Sequence, residues 1–418
     1  MITLLAIGVA LAATWRWPGV AIPAVYFCYV SEALSGMSNV TLMFTAAAGA
    51  ILALRVMRSG LVLRLTALDL AFVMFATWHA GSAAYMRDGG MASAASLQFL
   101  MASVSVYLLA RLIGMSGRPA ERLAEICFGF CLIGCVAALD VLASATLRNS
   151  RLYVGEATPV GLSQPFPLMF IAGVGLLLMA RTLAGRTALI GGAAIALSLY
   201  VSMLSGTRGN LLAIAAGVAL IALYAIRPGS GGVPRLVFLG AGGLAALLAA
   251  GPDLLATDSI QRFLNFDNYG ATTDISSAVR WTLYDAAFRM IDESSVIGHG
   301  IGSFHYFTGG AYPHNLFLEA WAESGLVGVA LLVIYLLVAM RTIRTTGISR
   351  MGWTGVAFVA MLFAGLVHHQ VSFQIGAGKS LFLAGLLAGV AALPARLRAP
   401  PLDPAAARPA ITAAPGPA

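Results

Sequence analysis

Charge is what this sequence has least of. Of its 418 residues only 10% are Asp, Glu, Lys or Arg, against 59% hydrophobic, with a mean hydropathy of +0.87. A water-soluble chain of this length cannot cover its surface with so little charge. A helix bundle solvated by lipid can, because its outward side chains must be apolar. Lysine is almost missing: 24 arginines and a single lysine, Lys379, set the net charge of +8. These arginines lie between apolar runs and are not clustered on one face, which argues against a nucleic-acid partner. Cysteine is sparse too. Cys28, Cys127, Cys131 and Cys135 all fall inside apolar runs, the last three one helical turn apart, with no His or acid beside them. They read as small packing residues and not as a metal or redox site. No internal repeat is evident. The first run, Ile2–Thr14, resembles a signal-peptide core but lacks a basic start and a small-residue cleavage site, so it counts as part of the protein.

What is there is a series of apolar runs, at 18–34, 38–54, 65–84, 94–113, 123–145, 166–183, 187–205, 209–226, 235–251, 325–340, 352–370 and 380–394. Each is near the length that a tilted or partly buried span requires. Arginines mark alternate loops: Arg55, Arg58 and Arg64; Arg118 and Arg122; Arg181 and Arg186; Arg227 and Arg235; Arg341, Arg344 and Arg350; Arg396 and Arg398. By the positive-inside rule these loops and the C-terminus are cytoplasmic. The expected fold is all-α, a polytopic membrane protein of about twelve transmembrane helices, with Ile2–Thr14 as a short interfacial or re-entrant piece. If Ile2–Thr14 spans, the count is thirteen. The division follows: a transmembrane bundle over 1–251, a periplasmic loop over 252–324, further transmembrane helices over 325–394, and a Pro/Ala-rich tail over 395–418 expected to be disordered.

The outer loop is the one large hydrophilic insertion, where function tends to sit. Ser276–Ser295 reads as an amphipathic helix. Arg289 has Asp285 four residues before it and Asp292 and Glu293 after it, so intrahelical pairing accounts for it. Arg280 has no such neighbour, and either binds an anion or pairs with a distant acid. Arg208, in the outer turn SGTRGN, goes against the usual charge bias and either serves a ligand or anchors a headgroup. The glycines of GHGIGSF are expected to form a flexible connector that lets Ser303–Tyr312 fold over a site; no strand precedes them, so they are not a nucleotide loop. In PHNLFLEAWAESGLVG, Pro313 suits a helix start and Gly325 its end, which puts Asn315, Glu319 and Glu323 on one side and His314 nearer Phe317, Leu318 and Trp321. His314 there either packs at an aromatic interface or reacts. No histidine stands at metal-ligand spacing with an acid.

His314-Asn315, nine residues, then Gly325-x-x-Gly328 resembles the signature of the O-antigen ligase/polymerase superfamily. Ser205–Arg208 at a span mouth, Arg280-Trp281 opening the outer helix, and the glycine run before the histidine are also similar to that family. The resemblance implies a GT-C-type membrane glycosyltransferase of the bacterial inner membrane, working at the periplasmic face without nucleotide sugar or metal. Its donor would be a glycan on undecaprenyl diphosphate and its acceptor the lipid A–core of lipopolysaccharide, within the membrane lipids and as a monomer. Arg208 and Arg280 match the family's arginines, expected on the diphosphate, and His314 the residue expected to orient or deprotonate the acceptor hydroxyl. Asn315, Tyr312 and Arg289 complete the expected substrate-binding set. Ligase is the favoured member; O-antigen polymerase and protein O-oligosaccharyltransferase are the alternatives. A lipid flippase, which would want ionisable groups at midplane, fits less well.

Overall fold

A computed structural model describes residues 2–148, 151–155, 157–180, 185–227, 275–372 and 374–394, with isolated positions at 232–234, 236, 237, 240 and 397. The expected span at 235–251, the first part of the outer loop and the tail lie outside the described residues. The elements are α1 (Ile2–Ala13), α2 (Ala21–Ser35), α3 (Val40–Arg58), α4 (Ala67–Gly81), α5 (Gly89–Met115, with a π-turn at Leu100–Val104), α6 (Pro119–Ser144), β1 (Thr146–Arg148), β2 (Arg151–Tyr153), α7 (Pro159–Met179), α8 (Arg186–Leu204), α9 (Arg208–Ala225), α10 (Ile275–Glu293), α11 (Ser303–Phe307), α12 (Leu316–Thr346), α13 (Trp353–His369) and α14 (Lys379–Ala392).

Seven of the described helices are long and apolar enough to cross a membrane: α3, α5, α6, α7, α8, α9 and α12. Of the others, α1, α13 and α14 are apolar but shorter. Leucines and valines such as Leu5, Met43, Leu70, Leu139, Leu189 and Leu223 face outward, as a lipid-solvated surface requires. Inside, close approach replaces large side chains. A Cβ on Gly173 would meet the Gly191 carbonyl at 2.7 Å, so α7 and α8 touch backbone to backbone through small residues. The cysteines pack as expected: Cys28, Cys127 and Cys131 are buried and all four are free.

Two features depart from the expected all-α plan. Thr146–Tyr153 forms a small antiparallel hairpin, with Leu147 opposite Leu152. And α1 packs along α6. Thr3 donates through its backbone N–H and its hydroxyl to Asp140, each at 2.9 Å, in the last turns of α6. At its other end Trp15 accepts from Arg55, and Gly19 donates to Glu125 near the start of α6. So α1 runs antiparallel to α6 inside the bundle, about 18 Å long at 1.5 Å per residue.

Helix polarity sorts the arginines. α8 ends and α9 begins at the turn Ser205–Thr207, while Arg186 and Arg227 sit at their other ends. α12 begins beside His314 and carries Arg341 and Arg344 in its last turns. Arg118 and Arg122 open α6, whose far end leads into the hairpin carrying Arg151. The arginine-rich loops therefore share one end of the bundle, and a different set of polar residues meets at the other.

Candidate active site

The segment Ser294–Gly328 is built around a break in α12. Gly325 has φ 67° and ψ −173°, a conformation open essentially to glycine alone, and a Cβ there would overlap the Val296 carbonyl. A break inside a helix strands carbonyls before it and N–H groups after it. Both sets are satisfied by the loop that precedes α11. His299 and Gly300 donate to the carbonyls of Ala322 and Glu323 at 3.0 and 2.7 Å, and Leu326 and Val327 donate to Ser295 and Val296 at 2.8 and 3.3 Å. Trp78 caps the Ser324 carbonyl at 2.8 Å. The glycine run is thus a clasp and not a flexible connector. Gly298, Gly300 and Gly302 all have positive φ, and a Cβ on Gly298 would lie 2.5 Å from the Glu323 carbonyl. As expected, Gly325 ends the helix that starts after His314: α12 is two helices joined across a kink there, and the second continues to Thr346.

This clasp fixes the start of α12. The helix begins at Leu316, two to three residues later than its proline suggests, with Asn315 as the cap. The Asn315 side-chain oxygen accepts from Phe317 and Leu318, both at 3.0 Å. His314, just before the cap, takes the left-handed conformation with φ 52°, one of two non-glycine residues among those described to do so. That conformation turns its ring away from the helix, stacking it near Tyr312 with 4.2 Å between ring centres.

One cavity of about 220 Å³ at this end of the bundle is lined by Arg151, Val160, Gly206, Thr207, Arg208, Gly209, Val279, Arg280, His314 and Ser372. Four separate parts of the chain meet here. Arg151 comes from β2. Arg208 opens α9 where the Gly206 turn, φ 66°, brings the backbone to within 3.0 Å of Arg151 Nε for an added Cβ. Arg280 lies early in α10, which Leu283, Ala287, Met290 and Ile291 pack against Ala322 of α12 and Phe304 of α11. His314 precedes α12. Arg280 donates to the Val371 carbonyl at 3.2 Å, and among the described residues it forms no ion pair with a carboxylate. Among the described residues no carboxylate lines the cavity. Three guanidinium groups therefore face one space, an arrangement suited to an anion with several oxygens.

The imidazole is tuned by the same surroundings. Burial, and then the Arg280 charge, push the His314 pKa down from 6.5 to about 4. It is neutral at pH 7, and its Nδ1 is buried without a hydrogen-bond partner. Tyr312 donates to the Ser372 carbonyl at 2.8 Å; burial, the Glu319 charge and Arg280 set its pKa, with a net rise to about 12, so it stays protonated.

The expected residues are distributed as follows. Arg208, Arg280 and His314 share the cavity. Tyr312 does not line this cavity but its ring lies against His314, which does. Asn315 is a helix cap beside it. Arg289 is exposed, bonded through Nε to the Asp285 carbonyl at 3.3 Å, and does not line the cavity, because it lies on the opposite face of α10. Arg151 and Ser372 were not anticipated. The signal for Arg151 was present: it lies on the outer side by loop parity, against the charge bias, as Arg208 does. Glu319 and Glu323 were placed on one helix side but not in a cavity; both are buried. Among the described residues no group of three His, Cys, Asp or Glu side chains is placed to hold a metal ion.

Residues 193–333 match a protein-family model described as O-antigen ligase. The matched stretch contains Arg208, Arg280, His314, Gly325 and Gly328, and it leaves out Arg151 and Ser372. No curated protein matches the chain.

Proposed function

We propose, from the match of residues 193–333 to the O-antigen ligase family model, that the protein is an O-antigen ligase, a membrane glycosyltransferase of the O-antigen ligase/polymerase superfamily. It would transfer a glycan from undecaprenyl diphosphate to a sugar hydroxyl of lipid A–core at the periplasmic face of the inner membrane. The observation that carries this reading is the meeting of Arg151, Arg208, Arg280 and His314 around one cavity.

The chemistry follows from those groups. The acceptor oxygen attacks the anomeric carbon as the carbon–oxygen bond to the diphosphate breaks, with inversion. Negative charge accumulates on the leaving diphosphate, and the three guanidinium groups, already fixed, stabilise it without reorganising. The hydroxyl proton passes to a ring nitrogen of His314 and later to solvent or to the released diphosphate. In the empty cavity His314 is a weak base, because burial and Arg280 disfavour its charged form. A bound diphosphate offsets the arginine charge and raises the basicity of the imidazole when the donor is in place. Asn315 fixes the turn that carries His314. Energy comes from the activated diphosphate linkage, so neither a nucleotide sugar nor a metal enters the scheme.

The glycolipid profile of the source bacterium lacking this protein tests the reading. Lipopolysaccharide reduced to bare core, with long chains accumulating on undecaprenyl diphosphate, is the expected result. Core bearing one repeat would mean a polymerase. Intact lipopolysaccharide with unglycosylated protein would mean a protein glycosyltransferase.

A further inference from the structure

A second cavity, of about 200 Å³, is lined by Tyr312. Its polar lining differs in kind. Glu319 and Glu323 face it from one side of α12, His79 from α4, Gln98 from α5, and Gln374 from the turn before α14. Both glutamates are buried, at 4% and 5% exposure. Glu323 accepts from the Phe304 N–H at 3.4 Å, and Glu319 Oε1 accepts from the Ile375 N–H at 2.9 Å. Among the described residues Glu319 Oε2 has no hydrogen-bond partner. A buried carboxylate oxygen left unpaired costs on the order of 1–3 kcal/mol, so its retention points to a group that arrives later.

The lining says what kind of group. The amides of Gln98 and Gln374, bonded to each other at 3.0 Å, can each donate and accept, as hydroxyls require. Phe304 and Tyr312 supply ring faces for the C–H surface of a sugar. A cation is the poorer match, since the His, Cys, Asp and Glu side chains here do not form a three-ligand group. We infer that this cavity binds one hydroxyl-bearing sugar ring, and that the ring is the acceptor's, with a hydroxyl hydrogen-bonded to Glu319 Oε2.

The inference rests on the proposed transfer reaction and deepens it. Tyr312 lines this cavity, and its ring packs against His314, which lines the cationic one. A sugar seated beside Glu319 therefore lies across one aromatic ring from the cationic cavity, close enough to present a second hydroxyl to His314. The first sugar of the donor offers the same hydroxyls, so the test must tell the two apart.

The assay is steady-state transfer by the full-length protein in nanodiscs. Undecaprenyl-diphosphate-linked oligosaccharide and lipid A–core are varied separately. Two variants are compared with wild type: Glu319→Gln, which removes one carboxylate acceptor at constant size, and Ala95→Leu, which fills the cavity wall without touching either glutamate. Both should raise KM for lipid A–core about tenfold, with KM for the donor and the melting temperature near wild type. Unchanged KM values, or a fall in kcat and melting temperature alone, would overturn the site and leave Glu319 a structural partner of Ile375. A rise confined to the donor KM would overturn the acceptor assignment and give the cavity to the donor's first sugar. If wild-type protein transfers nothing, the proposed function fails separately. Titration with delipidated core oligosaccharide then tests the cavity directly: tighter binding to wild type than to Glu319→Gln supports it, and equal binding overturns it.

Discussion

Lowering the pH separates a buried, arginine-facing histidine from an ordinary one. His314 acts as a base only when neutral. With its pKa pushed down to about 4 by burial and Arg280, kcat/KM should hold steady from neutral pH downward and fall only as the pH drops through about 4. For an exposed histidine the fall would come at about 6.5. The difference is large at pH 5.5, where the imidazole is about 97% neutral with the lower value and about 9% neutral with the ordinary one. The ratio of kcat/KM at pH 5.5 to that at pH 7.5 should therefore be near one, against about one tenth for an unperturbed residue.

The kcat profile reports the loaded enzyme and should differ. With the diphosphate in the cavity, its charge offsets Arg280, and the acid limb of kcat moves to higher pH than that of kcat/KM. Arg280→Gln moves the kcat/KM limb upward too, because it deletes one of the two causes of the depression. Radiolabelled-donor transfer in nanodiscs across pH 3–8 reads both profiles. An acid limb of kcat/KM at 6.5 or above in wild type, or limbs of kcat and kcat/KM that coincide, would refute this account of the imidazole.

Arg208→Lys and Arg280→Lys should each raise the donor KM about tenfold, since a point charge replaces a two-pronged donor; transfer assays at varied donor concentration check this. Gly325→Ala should cost about 3 kcal/mol or more, because the backbone there suits only glycine and the new methyl overlaps Val296; the midpoint of thermal unfolding in detergent reads the loss. Asn315→Ala removes the α12 cap at a cost of about 1 kcal/mol and should lower kcat more than either KM, by loosening the turn that holds His314; kinetics and unfolding on the same preparation separate the two effects.

Much of the site was legible because its residues break local rules. Arg208 stands on the wrong side of the charge bias, and Arg280 has no carboxylate one helical turn away. The same bias applied to Arg151 would have pointed to it, but a three-residue strand at the end of an apolar run gives almost no periodicity to read. Asn315 was assigned to the helix side of Glu319 because Pro313 can open a helix. The positive φ of His314 delays the helix instead, and no local propensity announces a left-handed histidine. The clasp was misread as flexible for a similar reason. Three glycines allow freedom, yet here a Cβ on Gly298 would meet the Glu323 backbone, one on Gly300 the Ser82 carbonyl, and one on Gly302 the Ala95 side chain. Those constraints come from residues at least 25 positions away in sequence. The pairing of α1 with α6 depends on Thr3 meeting Asp140, a contact across 137 residues that twelve apolar positions cannot encode.

Transfer by the purified protein is the most direct test of the central claim. Wild type and His314→Ala in nanodiscs are each given undecaprenyl-diphosphate-linked glycan and lipid A–core, with no nucleotide sugar and with a chelator present. Wild type should form glycan-bearing core and release undecaprenyl diphosphate in equal amounts, and His314→Ala, at the same fold stability, should be slower by about 10²–10⁴-fold. Wild-type rates retained by His314→Ala, or no product from wild type, would contradict it.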